Sequence, residues 1–389
     1  MRLRSAAVLA AVVATLVVGA VPALAAPQHT LELTAPGETV VAYGDAVHLV
    51  GKLTPGAVGE RVALRDPHGR ILTTTKTIKF GKFSFDYAPH GSQYVHAEWD
   101  GLRSKPVLVK ARPRVTATIS NVLLFGTATI GGTVVPWDAG APVSVAVLRD
   151  GKRVLAKTVK LGSNSSFHFT MPVSQPGTYS VHVVYQVPNT LRGVADSARV
   201  ATPLPSLSRG SKGVTVLLLE RRLAQLHYRN VNVNDTYDGT TGDAVMAFRK
   251  VQGLTRVWTT DAAVWRALAS PRLPGPRVGG SGFHVEIDQT RQVIYTVQDG
   301  SITNILHTST GKPSTPTRDG TFYVHRKVNG YSIGGLYYPS YFDGNRAVHG
   351  WTSVPEYPAS HGCARIPYWN ATFMYDRMPI GTKVIVYHS

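Results

Sequence analysis

Ser360-His361-Gly362-Cys363-Ala364-Arg365 contains the one cysteine of a 389-residue chain, and His349-Gly350 stands fourteen residues before it. A single cysteine excludes an internal disulfide framework and any Cys-based zinc or iron–sulfur site. Two readings of Cys363 follow from residue chemistry. As a buried residue it behaves as a small hydrophobe. As a reactive thiol it has suitable company, since His361 and Arg365 make an electropositive setting that lowers a thiol pKa. A histidine within reach can take the thiol proton. Gly362 lets substrate approach closely, and backbone N–H groups at such a turn can hold an oxyanion. No His-Glu-x-x-His pattern occurs and the other histidines lack ligand spacing, so no metal or other cofactor is expected.

The sequence around this stretch is mainly β. Phe283, Val285 and Ile287 alternate with polar residues, as do Val293, Tyr295 and Val297. Asp299-Gly300 is a hairpin turn into Ile302 to Leu306, and Val384 to Tyr387 is a closing strand. Residues 283–389 are therefore read as one compact domain.

Upstream, residues 271–282 are rich in Pro and Gly and read as a linker. Residues 203–270 change period. Val216, Leu219, Leu223 and Leu226 share one helical face. A second helix is expected from about Gly242, capped by Thr240 or Thr241, with Ala244, Val245, Phe248 and Val251 inward and Gly253 as its stop. A third places Val264, Trp265 and Leu268 together. Residues 27–111 and 112–202 repeat each other. Gly44 matches Gly126, Arg65-Asp66 matches Arg149-Asp150, Phe83 and Phe85 match Phe167 and Phe169, and Tyr94 matches Tyr179. Short alternating strands at this spacing predict a β-sandwich per copy. Linkers of this composition rarely fix orientation, so modest contacts between the modules are expected.

Residues 1–26 read as a secretory signal: Arg2 and Arg4, then an apolar stretch, then Ala23-Leu24-Ala25 as a cleavage site. An uncleaved membrane anchor is the alternative, for which the stretch is short. The whole chain carries 41 Lys+Arg against 23 Asp+Glu, a net +18, and loss of the signal's two arginines leaves +16. That surface suits polyanions. For an exported protein it points to the cell wall and its anionic polymers rather than to nucleic acid.

Three resemblances sharpen this reading. The two repeats resemble bacterial immunoglobulin-like modules. Residues 206–270 resemble the three-helix peptidoglycan-binding domain, through Gly210-Ser211, Gly213, Leu223, Leu226, Tyr228, Asp238-Gly239, Phe248, Gly253-Leu254 and Trp265. Residues 283–388 resemble the L,D-transpeptidase (YkuD-type) catalytic domain. That likeness rests on His349-Gly350, on Ser360 to Arg365, on Ser309-Thr310-Gly311-Lys312 with Thr315 to Phe322, and on the aromatic stretch Tyr338 to Phe342. Arg318-Asp319 departs from the family's spacing. The expected architecture is multidomain and mainly β: two immunoglobulin-like sandwiches, a three-helix module and a C-terminal catalytic domain.

The resemblance implies a reaction. Cys363 would be the nucleophile on a tetrapeptide stem of peptidoglycan, releasing D-Ala through a thioester. His349 would be the base, oriented by a backbone carbonyl near Gly350. Gly362 and Cys363 N–H groups would hold the oxyanion, with Ser360, Gly350, His361 and Tyr338 also at the oxyanion and substrate-binding site. Arg365 would bind a substrate carboxylate or fix the loop, and Tyr331, Tyr337, Tyr338, Tyr341 and Phe342 would line a lid or serve as packing. A diamino-acid amine of a second stem would then form a 3→3 cross-link. Water or a D-amino acid as acceptor would make the same site a carboxypeptidase or an exchange enzyme. A catalytically silent wall-binding protein is the non-enzymatic alternative. A cell-wall cysteine amidase usually places its Cys before its His, the reverse of the order here, and the Cys363 stretch does not look like a sortase strand.

Overall fold

The computed structural model describes residues 28–136 and 138–389, so the expected signal segment lies outside the described residues. The chain divides into two compact units. The first, residues 28–113 together with 187–191, is a pair of sheets. Strands Thr30–Thr34, Val47–Thr54 and Lys82–Tyr87 form one, and a six-stranded sheet containing Arg61–Arg65 and Gln93–Trp99 forms the other. Their inward residues, among them Leu49, Leu64, Phe83 and Val95, share one core. Gly51 lies beneath the Phe83 ring, where a Cβ would meet a ring carbon at 2.2 Å.

The second unit, residues 114–186 and 192–389, opens with two sheets of the same kind. Gly132 lies beneath Phe167 as Gly51 does beneath Phe83. One expected match fails. Arg149 pairs across the sheet with Tyr179, whereas Arg65 pairs with His96. Tyr94 is exposed and Tyr179 buried, so the counterpart of Tyr179 is His96. Strand register decides this, because a residue two places along faces a different cross-strand neighbour.

Three helices follow: α1 (Val214–Gln225), α2 (Gly239–Gln252) and α3 (Ala262–Ala269). Val216, Leu219 and Leu223 of α1 are buried, as are Val264, Trp265 and Leu268 of α3. α2 begins earlier than expected. Asp238 is its N-cap, accepting from the Thr240 and Thr241 backbone, and Thr241 completes a capping box. Gly253 ends it in the left-handed conformation, as expected.

Residues 283–387 form two further sheets. One has the strand order Ser301–His307, Val293–Gln298, Phe283–Asp288, Lys383–Tyr387, Gly320–Tyr323. The other has Arg326–Lys327, Tyr337–Asp343, Arg346–Trp351, Ala364–Pro367. Val285, Ile287, Ile294, Val348, Ala364 and Ile366 pack between them with Met374 of α4 (Ala371–Arg377).

The helices and this domain are not separate beads. Ile294 faces the domain's own core, but Val293, Tyr295 and Val297 face the other way and share a core with Leu223, Phe248 and Trp265 of the helices. The expected modest contact is therefore corrected here: the strand is apolar on both faces, and the second face needs a cover. The Pro/Gly segment before it is also tied down, since buried Glu286 accepts from the Arg277 and Val278 backbone.

Lys250 of α2 crosses the boundary. Its ammonium donates to the Gln292 and Thr308 carbonyls, each at 2.9 Å, and to His307 Nδ1 at 2.7 Å. His307 Nε2–H donates to the Val354 carbonyl, which leaves Nδ1 as the acceptor. Burial, then the Arg256 guanidinium, push the Lys250 pKa well below its ordinary value. The three bonds offset that desolvation only together. Lys250→Ala should lower stability by about 3 kcal/mol, because it leaves three buried acceptors without a donor as well as a cavity. Urea unfolding with an unchanged midpoint would contradict this.

Candidate active site

His349 and Cys363 meet through a parallel strand pair. In Arg346–Trp351 against Ala364–Pro367, Val348 lies opposite Ala364 and His349 opposite Arg365. Side chains alternate between faces. Val348, Ala364 and Ile366 enter the core, so Ala347, His349 and Trp351 share the other face with Cys363 and Arg365. Both expected chemical residues thus stand on one surface, on neighbouring strands.

The histidine's ring is set by its own strand. Nδ1–H donates to the Gly350 carbonyl at 2.9 Å, which leaves Nε2 as the lone-pair nitrogen of the neutral ring. Trp351 packs edge-on against the ring, with centroids 5.5 Å apart. Burial lowers the His349 pKa to about 4; the Gly350 bond works against this and the Arg365 charge adds to it. Gly350 holds the ring and does not face substrate: a Cβ there would meet Ala371 Cβ at 2.6 Å.

The cysteine loop is braced from inside. Ser360 Oγ donates to the Cys363 carbonyl at 2.6 Å and accepts from Gly362 N–H at 3.0 Å. Thr317 Oγ1 donates to the Gly362 carbonyl, and Thr315 Oγ1 to that of Ser360. The Ser309 to Phe322 stretch thus acts as the loop's backing. Arg318 and Asp319, which break the expected spacing, are both anchored: Arg318 pairs with Asp343, and Asp319 accepts from Gln289 and His388.

Several expectations change. Gly362 sits at φ +107, a backbone conformation that residues with a Cβ rarely adopt, so glycine is required by the turn itself and not by an approaching substrate. Its N–H is already bound to Ser360, which removes it from the oxyanion donors. The thiol pKa also moves the other way. Burial raises it and outweighs the Ala347 backbone N–H and the Arg365 and Arg346 charges, which lower it. The resting pair is therefore neutral thiol and neutral imidazole.

Arg365 carries its guanidinium over Trp351 at 5.1 Å and has no acidic partner among the described residues. His361 is exposed at the loop tip. Tyr331, Tyr337 and Tyr338 do cluster, and Tyr337 stacks on Tyr368 at 4.0 Å. Tyr341 and Phe342 do not belong to a lid. Both are buried, Tyr341 beneath Arg326 and Phe342 against Phe322. Sequence reasoning missed Tyr368 and Tyr375, which complete the aromatic cluster, and Arg346, which fills the space at Gly362. No local motif marks them.

Residues 282–386 match the family model of the L,D-transpeptidase catalytic domain. This part of the chain belongs to that family. The membership identifies the domain as a peptidoglycan transpeptidase in general terms. Among solved structures, the L,D-transpeptidase (residues 123–326) of Xylanimonas cellulosilytica is 36% identical, covering 48% of this chain and 99% of that one, with a TM-score of 0.45. That of Stackebrandtia nassauensis is 22% identical over 48% of this chain and 97% of that one, TM-score 0.31. The E. faecium L,D-transpeptidase catalytic domain acylated by ertapenem is 26% identical over 28% and 100%, TM-score 0.24. No curated protein matches the chain.

The protonation states of Cys363 and His349 make a pH prediction. With the thiol pKa raised, iodoacetamide alkylation of Cys363 should be slow at pH 7 and rise about tenfold per pH unit up to 9. With His349 depressed to about 4, the base stays unprotonated at pH 5 and above, so the acid limb of acylation should fall near 4. An alkylation plateau below pH 7 would instead reveal a thiolate–imidazolium pair.

Proposed function

We propose that the protein is an exported cell-wall enzyme that forms 3→3 cross-links between peptidoglycan stems through a Cys363 thioester. The observation that carries this reading is the His349 Nδ1–H bond to the Gly350 carbonyl, which leaves Nε2 as the lone-pair nitrogen of a ring on the strand face that also holds Cys363. A carbonyl here takes the orienting role that a carboxylate has in other triads.

The steps follow from neutral partners. As the sulfur attacks the carbonyl before the terminal D-Ala, its proton passes to Nε2. The tetrahedral oxyanion takes the Cys363 N–H, the donor left in the loop once Gly362 N–H is committed to Ser360. Nε2–H then protonates the departing amine, the C–N bond breaks and the thioester remains. An amine from a second stem attacks, gives a proton to Nε2, and the thiol is restored as the C–S bond breaks. Arg365, without an acidic partner among the described residues, suits the donor's terminal carboxylate. Water or a D-amino acid in place of the amine gives hydrolysis or exchange from the same thioester, and the products distinguish these outcomes.

Intact-mass spectrometry with a carbapenem, a class that acylates enzymes of this resemblance, should give one adduct on wild type and none on Cys363→Ala. His349→Ala should slow acylation by roughly 10²–10⁴-fold, the usual contribution of a positioned base. D-Ala release from tetrapeptide by Cys363→Ala would overturn the nucleophile and the reaction class. Wall retention by the helices and the basic surface is part of the same proposal. At 1 M salt, where screening acts over roughly 3 Å, the full chain should stay on sacculi if the helices contribute; complete release would leave charge as the sole attachment.

A further inference from the structure

In the first unit, Lys76-Thr77-Ile78-Lys79-Phe80-Gly81-Lys82 forms the turn that leads into the strand Lys82–Tyr87. Phe80 holds φ 65 and ψ 23, the left-handed region, which a bulky side chain seldom adopts. The strain secures no packing, since Phe80 is 78% exposed. Ile78 is 61% exposed, and Val58 on the neighbouring loop 68%. The two loops are bonded together: Gly59 N–H donates to the Thr77 carbonyl, and Thr77 Oγ1 to that of Ala57. Three apolar side chains thus stand in solvent at one tip.

Cations surround them. Lys76, Lys79 and Lys82 are exposed, and none has an acidic partner among the described residues. Lys52 lies directly opposite Lys82 across the sheet, where like charges repel. A groove of about 540 Å³ runs beside this pair, lined also by Ile78 and Ser84. Glu32, opposite Lys52 on its other side, lines the groove without reaching ion-pair distance.

The repeat supplies a control. Phe83 matches Phe167, and the turn before each closes on the same bond: Ile78 N–H to the Lys82 carbonyl, Gly162 N–H to that of Ser166. In the second copy the turn reads Gly162-Ser163-Asn164-Ser165-Ser166, and Thr133 with Ser166 replaces the opposed lysines. The turn forms there without an apolar side chain or a charge, so the fold does not ask for Ile78, Phe80 or the lysines. Wall polymers would satisfy the cations but give Ile78 and Phe80 nothing dry to enter. A surface with anions outside and hydrocarbon beneath satisfies both.

We propose that this tip docks on an anionic bilayer. Val58, Ile78 and Phe80 enter the boundary between headgroups and acyl chains, Lys76 and Lys79 meet the headgroups, and Lys52 with Lys82 holds a headgroup phosphate in the groove. The proposal concerns the first unit and stands independently of the transpeptidase reading.

The test is vesicle sedimentation with and without phosphatidylglycerol. The chain is used from residue 27 on, which keeps every described residue and omits an apolar segment that would itself bind lipid. Wild type should bind the anionic vesicles. Phe80→Asn places there the residue of the second copy, one that accepts the left-handed backbone, so its unfolding midpoint should not fall. Its binding should weaken roughly ten- to a hundredfold, the loss of one buried aromatic side chain. Lys79→Ser with Lys82→Ser should weaken binding roughly thirtyfold, about fivefold for each lysine near an anionic surface. Phe80→Trp should be quenched by bromine-labelled acyl chains beyond the wild-type level. No binding by wild type, or Phe80→Asn binding as tightly, would overturn the docking site. A loss confined to the lysine variant would mark a purely electrostatic contact, such as a wall polymer makes, and would overturn it too.

Discussion

The site depends on one register. Val348 opposite Ala364 and His349 opposite Arg365 commit alternate residues of two parallel strands to the core and to the surface. A slip of one residue would turn His349 into the core and bring Val348 out. The apolar residues between the chemical ones therefore hold the pair in place: Val348, Ala364 and Ile366 lose their burial if the strands shift. Ser360 and Thr317 then fix the turn that delivers Cys363 to the start of its strand.

Burial in that register also sets the protonation state. Two guanidinium groups near a thiol would produce a thiolate in water-like surroundings. Here desolvation acts on both members of the pair, raising the sulfur and depressing the imidazole. Charge separation at rest is disfavoured on both sides. In the proposed mechanism the proton transfer is then coupled to attack, when the sulfur's charge passes to substrate and the imidazolium gains an oxyanion as neighbour. Such surroundings protect the resting thiol from oxidation, because the thiolate is the reactive form.

Much of this was legible in the sequence where periodicity or local chemistry carried it. The alternation at Val293, Tyr295 and Val297 gave a strand, and Gly253 gave a helix end. Ser360 to Arg365 with His349 gave the chemical pair. What was missed depends on tertiary contact. Tyr94 was matched to Tyr179 by spacing, but cross-strand pairing selects His96. Gly362 reads as an opening for substrate, and only the folded loop shows that its positive φ is what requires the glycine. Tyr341 and Phe342 read as one aromatic run with Tyr338, yet one run can face both a core and a surface. Asp238 was passed over as a cap in favour of Thr240 or Thr241, although acidic N-caps are equally common.

The linker had the largest consequence. Pro and Gly between residues 271 and 282 suggest a hinge when the flanking domains are complete in themselves. The catalytic domain is not complete: Tyr295 and its neighbours present a second apolar face that the helices cover, and Lys250 of α2 is buried where it bonds Gln292, His307 and Thr308. A module on a flexible tether would have no reason to supply a core face and a buried cation. The composition of a linker describes the freedom of the unfolded connection, whereas the apolar area on either side decides how much of that freedom survives folding.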